Sequence, residues 1–507
     1  MLPLPLSRFR LSEGELKMVD RRSFVRGAVA LGAAGTLPAG GKAADKGALK
    51  MKLGVLSDIH ITPRNNTARW EQALRAFDKW GADGVLVCGD LADYGTAPEL
   101  KLVADTWFKV FPNNRRSDGR SVANLLHYGD HDCSGYTYRH CKPCVEDYPD
   151  EAAMKKLIIP LNDRKAIWEN CFREEWAPIV RKTVKGYDFI LSHFSKGEPG
   201  NGAGNNVPGL EEFMAKQKLD PKKPFFYSQH RVLRNTAGGP YMWGQDDGKV
   251  RKLFAEKYPN CVAFCGHEHL TGAEEAAIWQ GEFTCVAVPS LSYCVTLGGR
   301  ENGYSLADKP YVDPKYMMPA IGNGSQGMFV SIYENAIDIR RWSFSADAAT
   351  GPDWSIPLPV PGKKYSHKRR AAEDPAPEFA PGAKLQLLAG KGKSRAGEMR
   401  DFVTVRFPAA KATATTPRAN DYEVQLENRR DAVVRTLSTR RVYSPGYSFG
   451  YEKDDKPVTC NFPLEDVPVK DWIRFVARPV NSFQRKGGMI ASEWFRFDGK
   501  TIPKNLA

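Results

Sequence analysis

Between residues 50 and 345, short apolar runs alternate with longer stretches whose apolar positions recur every three or four residues. MKLGVLSD is short and β-prone, ARWEQALRAFDKWG repeats at helical spacing, and ADGVLVCGD is again strand-like. PELKLVADTWFKVF predicts a helix and VANLLHYG a strand. Further on, YDFILSHF and KKPFFYSQH read as strands, separated by the glycine-rich GEPGNGAGNNVPG and a helix over LEEFMAKQKL. DDGKVRKLFAEKYP predicts a helix that feeds the strand CVAFCG. FTCVAVPS, GMFVSIYE and AIDIRRWSF then close the region as β segments, with Glu334-Asn335 in the last turn. Alternation of this kind predicts an α/β domain over residues 48–345.

The pattern then changes. Residues 346–385 are polar and Pro-rich, the composition of a linker or an extended wrap. From 386 to 507, FVTVRF, DYEVQLEN, AVVRTLSTRRVY, TCNFPLEDV, WIRFVARPV and ASEWFRF recur as short strands with turn residues between them and no helical period. That spacing predicts a C-terminal all-β sandwich. At the other end, Asp20-Arg21-Arg22-Ser23-Phe24-Val25-Arg26 resembles the twin-arginine export motif of bacteria, and an Ala/Gly-rich run follows it. Residues 1–47 are therefore expected to be an export signal and spacer, cut near Lys42-Ala43-Ala44, with Met18 as an alternative start. A periplasmic or extracellular protein is expected, with no transmembrane anchor once the signal is removed.

The formal net charge of +14 favours anionic partners such as phosphorylated small molecules or polymers. Zinc-finger spacing and an Arg-rich arm are both missing, so sequence-specific nucleic-acid binding is not expected. The basic run Lys363–Arg370 falls in the linker. Ten cysteines are scattered along the chain. Cys88, Cys261 and Cys265 lie in apolar strands and read as buried small hydrophobes. Cys133, Cys141 and Cys144 share one loop, where a disulfide or free thiols are favoured over a small Zn site that would add His140.

Four polar clusters interrupt the apolar runs at their ends: Asp58-Ile59-His60, Gly89-Asp90, Gly129-Asp130-His131-Asp132 and Gly266-His267-Glu268-His269. Loops after strands are where open α/β sheets bind their ligands. Carboxylates and imidazoles together suit Mn, Fe, Zn or Co and need no thiolate. Two such ions about 3.5–4 Å apart can clamp the attacking and leaving oxygens of an in-line displacement at phosphorus. Asp90 is the candidate bridge. Asp58, His60 and His269 complete one site; Asp130, His267 and one further histidine complete the other. His230 after PFFYS is the preferred seventh ligand, with His193 as its rival, and His127 and His140 are expected to be ordinary residues.

The order D-x-H, GD, GNH[DE], lone H and G-H-x-H resembles the calcineurin-like metallophosphoesterase superfamily over roughly residues 50–345. The resemblance implies a two-sheet αββα sandwich, a dinuclear metal site with a bridging hydroxide nucleophile, and hydrolysis of phosphate mono- or diesters. It also implies that His131 protonates the leaving oxygen and that Asp93, three residues after Asp90, orients it. Bacterial phosphodiesterase and purple-acid-phosphatase-like members favour His230 as the lone histidine. Two positions depart from the family pattern. Asp130 stands where asparagine is usual, adding negative charge and admitting the alternative of a weakly active scaffold that binds surfaces through its β-sandwich. Tyr94 stands where GDxxDRG proteins carry a phosphate-binding arginine. Asp93 occupies the place of the purple acid phosphatase tyrosine, so no coloured Fe–tyrosinate centre is expected. The late strand order, with Asp421-Tyr422-Glu423-Val424 and RFVARPV, resembles a fibronectin type III-like module.

Overall fold

The structure is a computed structural model that describes residues 45–64, 67–137, 148, 150–194, 207–240, 242, 244–295, 300, 321–393, 398–410, 412, 418–445, 456–500 and 502. The export motif lies outside these residues. So do His140, Cys141, Cys144, most of the glycine loop 197–209 and much of the segment 291–326.

The short apolar runs become strands of two facing sheets. In chain order the first strands are β1 (Leu49–Leu56), β2 (Gly84–Val87), β3 (Ala123–Leu126), β4 (Ile179–Val184) and β5 (Tyr187–Ser192). Next come β6 (Phe225–Arg231), β7 (Cys261–Gly266), β8 (Ile278–Gln280), β9 (Thr284–Ala287), β10 (Tyr293–Val295) and β11 (Ile321–Asn323). The region closes with β12 (Gln326–Tyr333), β13 (Ala336–Ser343), β14 (Ala348–Ala349) and β15 (Trp354–Pro357). One sheet has the order β14–β13–β12–β1–β2–β3, with β15 also on β13; the other runs β4–β5–β6–β7–β9–β8, and β10 and β11 pair apart from both as a two-stranded ribbon. The β1–β2–β3 pairs and the β5–β6–β7–β9 pairs are parallel. Parallel strands buried on both faces are apolar throughout, which is why β2 and β7 read as unbroken hydrophobic runs. The antiparallel β12 alternates buried and half-buried positions instead.

Leu53, Val55, Leu86 and Leu125 of the first sheet share one core with Phe189, Phe226 and Phe264 of the second. Helices α1 (Thr67–Trp80) and α2 (Ala97–Val110) cover the outside of the first sheet through Trp70, Phe77 and Trp107. Helices Val207–Lys216 and Lys249–Lys257 cover the second through Leu210, Met214, Leu253 and Phe254. The result is the αββα layering that the resemblance implied.

The region 346–385, expected as a linker or an extended wrap, runs along the α/β domain. Its first part adds β14 and β15 to the first sheet, burying Trp354 and Ile356. The helix His367–Glu373 then returns to the domain: Glu275 accepts from Arg370 at 2.9 Å and from Arg341 at 2.7 Å. Proline is tolerated on a sheet edge, where no partner needs its missing N–H, so a Pro-rich stretch can still pair. Residues beyond 345 thus join the first sheet, and part of the basic run at 363–370 is helical.

Residue Glu275 gives a pH prediction. Burial would raise its carboxyl, but Arg341 and Arg370 outweigh that and hold it at about 2, against an ordinary 4.5. A depressed folded-state pKa contributes stability above the unfolded value, lost as pH falls through the folded one. Glu275→Gln should thus be less stable than wild type at neutral pH. The gap should narrow from about pH 4.5 downward and close near pH 2, as followed by denaturant unfolding at a series of pH values. A gap independent of pH would mean that Glu275 contributes by packing alone.

The C-terminal strands are β16 (Gln386–Lys393), β17 (Met399–Phe407), β18 (Asp421–Arg430), β19 (Val433–Tyr443), β20 (Val458–Pro463) and β21 (Trp472–Val480). ASEWFRF, expected as one strand, splits into β22 (Ile490–Ala491) and β23 (Phe495–Arg496). Two antiparallel sheets, β16–β17–β20 and β19–β18–β21–β22 with β23 on β21, enclose Val405, Tyr422, Val424, Phe462 and Phe475. This sandwich is seated on the α/β domain. Tyr443 packs on Ala273, and buried Asp421 accepts from Arg300 at 2.7 Å. Arg418 donates to the Thr350 carbonyl at 3.0 Å.

Candidate metal centre

The polar clusters meet at the C-terminal ends of β1, β2, β3, β6 and β7. Glycine precedes three of them because the strand ends approach closely. A Cβ on Gly129 would lie 2.2 Å from Asp90 Oδ1, and one on Gly266 would lie 1.8 Å from Ser57 Oγ. Five of the seven expected ligands have left-handed backbone: Asp58, His60, Asp90, His267 and His269, with φ of 54°, 48°, 53°, 72° and 49°. Side chains that adopt this region cost of order 1–3 kcal/mol each and persist where the surroundings over-determine them, as at functional sites.

The donor atoms fall into two groups that share Asp90: Asp58, His60, Asp90 and His269, and Asp90, Asp130, His230 and His267. In the first, His269 Nε2 lies 3.0 Å from Asp58 Oδ1 and 3.2 Å from His60 Nε2, and His60 Nε2 lies 3.6 Å from Asp90 Oδ2. In the second, His230 Nε2 lies 3.1 Å from Asp90 Oδ2 and 3.0 Å from Asp130 Oδ1, and His267 Nδ1 lies 3.1 Å from Asp130 Oδ1. The structure thus brings together all seven residues singled out in the sequence.

The residues fit metal ions. Asp90 Oδ2 and Asp130 Oδ1 are buried and make no hydrogen bond. Burial would raise the Asp58, Asp90 and Asp130 carboxyls, but the facing histidines outweigh it and hold all three below the ordinary carboxylate range. Burial would likewise lower His230, yet Asp90, Asp130 and Asp58 push it well above an ordinary imidazole. Such a buried, negatively charged pocket favours cations, and its oxygen and nitrogen donors suit first-row transition metals.

The histidines are oriented from behind. His230 Nδ1 donates to the Cys88 carbonyl at 2.7 Å, and His269 Nδ1 to the Tyr293 carbonyl at 2.7 Å. These bonds fix the tautomers that leave Nε2 facing the pocket. His60 Nδ1 contacts Asp93 Oδ1 at 2.8 Å, and burial with His131 nearby lowers its pKa to about 4. The expected Asp93–His131 pairing takes a different form. His131 Nδ1 donates to the Asp93 backbone carbonyl at 2.8 Å, whereas the Asp93 carboxylate lies 3.4 Å away. The His131 ring stands edge-on to that of His60, with centroids 4.5 Å apart. Asp93→Asn should therefore act mainly through His60 and weaken metal affinity about 10–100-fold in a chelator competition. Unchanged affinity would return the carboxylate to His131.

His193 does not join the site. Its Nδ1 accepts from the Tyr128 amide at 3.1 Å and from Trp176 Nε1 at 3.2 Å, and it packs edge-on against Trp168. Burial, with His127, Lys182 and Arg164 nearby, keeps it neutral. His127 is likewise buried and bonded to Ser228 Oγ at 2.8 Å. Cys133 is a buried free thiol that donates to the Phe194 carbonyl at 3.2 Å.

Two supporting residues were not assigned roles in the sequence. Asp132 accepts from the amides of Leu91, Ala92 and Gly129, tying the β2 and β3 loops together. Its place in the G-D-H-D cluster was the available signal. Tyr293 stacks on the His269 ring at 4.0 Å. Nothing local in its sequence marks it, because the contact spans the β7–β10 connection.

The two sheets thus bring together two groups of candidate metal ligands that share Asp90. Residues 51–270 match the calcineurin-like phosphoesterase family, a family that is dimetal-dependent. No curated protein matches the sequence. Among solved structures, a dimetal phosphatase from Danio rerio is 8% identical with a TM-score of 0.34, covering 62% of this chain and 100% of that one. GAP50, the anchor in the inner membrane complex of Plasmodium, is 12% identical with a TM-score of 0.35, covering 63% and 91%. Purple acid phosphatase PPD1 from yellow lupin is 13% identical with a TM-score of 0.31, covering 61% and 54%.

Proposed function

We propose that the chain hydrolyses phosphate mono- or diesters at a dinuclear site held by Asp58, His60, Asp90 and His269 on one side and Asp90, Asp130, His230 and His267 on the other. The observation that carries this reading is the pair of donor groups sharing Asp90 at the ends of parallel strands. Two divalent transition metals there would supply Lewis acidity toward the phosphoryl oxygens and lower the pKa of the attacking water. His131 is the leaving-group acid. Its Nδ1 proton is committed to the Asp93 carbonyl, so the proton it transfers is the one on Nε2. Elemental analysis before and after metal reconstitution, followed by a panel of aryl mono- and diesters, tests the reading. Two metals per chain and turnover support it; no metal uptake overturns it.

Asp130 favours a second reading. Its extra charge offsets part of the cationic charge that activates water, so a surface-binding scaffold with weak chemistry is the alternative. Two metals without any ester hydrolysis would establish it. The order of the two C-terminal sheets supports a fibronectin type III-like module. The Arg21-Arg22 motif supports export to the periplasm or beyond, and no helix among the described residues is long and apolar enough to cross a membrane.

A further inference from the structure

We propose that Arg231 binds the phosphoryl group of the substrate. The assignment rests on the phosphoesterase reading above and identifies a substrate contact within it.

The argument begins with a break in strand register. From Phe225 to Gln229, β6 pairs residue for residue with β7, ending at Gln229 opposite Cys265; the next pair is Arg231 opposite Gly266. His230 is the extra residue of a bulge. In a regular strand consecutive side chains point to opposite faces, so only one of the two would reach the site. A bulge re-aims side chains. Here both approach the same carboxylate: His230 Nε2 lies 3.0 Å from Asp130 Oδ1, and the Arg231 guanidinium lies 3.8 Å from Asp130 Oδ2.

At 3.8 Å, Asp130 attracts Arg231 but does not hydrogen-bond to it. Arg231 Nε is buried and has no hydrogen-bond partner. The guanidinium is held 5.5 Å from the Phe194 ring, while 28% of the side chain stays exposed. A planar cation is therefore held at the rim of the metal pocket with donors to spare. A buried donor left unpaired is costly, and the ligand that fits a guanidinium fork is an anion with several acceptor oxygens. A phosphoryl group at the metal pair is such an anion. Tyr94 cannot serve, because it is buried against Met154 and Tyr148.

The test uses the full-length, metal-loaded protein with inorganic phosphate as the probe. Arg231→Met should keep both metals by elemental analysis. It should bind phosphate about 10- to 100-fold more weakly by calorimetry, the scale of a lost hydrogen bond between charged groups. Arg231→Lys, which keeps the charge without the fork, should recover part of that loss. Where esters are turned over, KM should rise more than kcat falls. Phosphate affinity unchanged in Arg231→Met overturns the proposal. So does loss of a metal, which would make Arg231 a support for Asp130 only. Should the wild type hold two metals and bind phosphate yet cleave no ester, the hydrolase reading fails, while the phosphate affinities still decide the role of Arg231.

Discussion

His230→Ala is expected to lose one metal ion and most activity, whereas His193→Ala should retain both ions. The two histidines follow similar apolar runs at the ends of adjacent parallel strands, so sequence alone ranks them only weakly. Their surroundings separate them. His230 faces Asp90, Asp130 and His267 and is backed by the Cys88 carbonyl. His193 instead accepts two protein hydrogen bonds inside an aromatic cage of Tyr128, Trp168 and Trp176. Its removal leaves the buried Tyr128 amide unpaired, at a cost of about 1–3 kcal/mol of stability. Metal analysis and denaturant unfolding of both variants give opposite signatures: metal loss in one, a lower unfolding midpoint with full metal in the other. Equal metal loss in both, or loss only in His193→Ala, would mean the seventh ligand is misassigned.

His131→Ala should lower turnover by about 10²–10⁴-fold, the usual scale for general acid–base catalysis. The loss should grow with the pKa of the leaving group, because a poor leaving oxygen needs a proton and a stabilised phenolate does not. Metal content should stay at the wild-type level, since His131 belongs to neither group that shares Asp90. The His131 backbone amide donates to Asp90 Oδ1 at 2.9 Å. That bond survives in the alanine variant, which isolates the imidazole. Equal losses across a series of leaving groups would show that His131 binds phosphate without protonating the product.

Much of this site could be read from the chain because its ligands are local to strand ends. A strand that runs through the core must leave it at a loop, and polar residues at that point are costly unless something satisfies them. Asp58, His60, Asp90, Asp130, His267 and His269 announce themselves in this way, and the α/β order follows from the alternation of periods 2 and 3.6. The all-β character of the C-terminal part follows likewise from strand spacing.

What only the tertiary structure decided depends on contacts between distant segments. His230 and His193 are told apart by what packs behind each ring. The Asp93 carboxylate lies 2.8 Å from His60 Nδ1 and 3.4 Å from His131 Nδ1, so it faces rings from both the β1 and the β3 loops. Pairing of Trp354–Pro357 with β13 turns an apparent linker into a sheet edge. Arg231 reaches the site through a register slip between β6 and β7 that no local pattern encodes. Sequence periodicity records which face a residue takes along its own strand; it carries no record of which neighbour lies across the sheet, and that neighbour sets hydrogen bonds, charge and access.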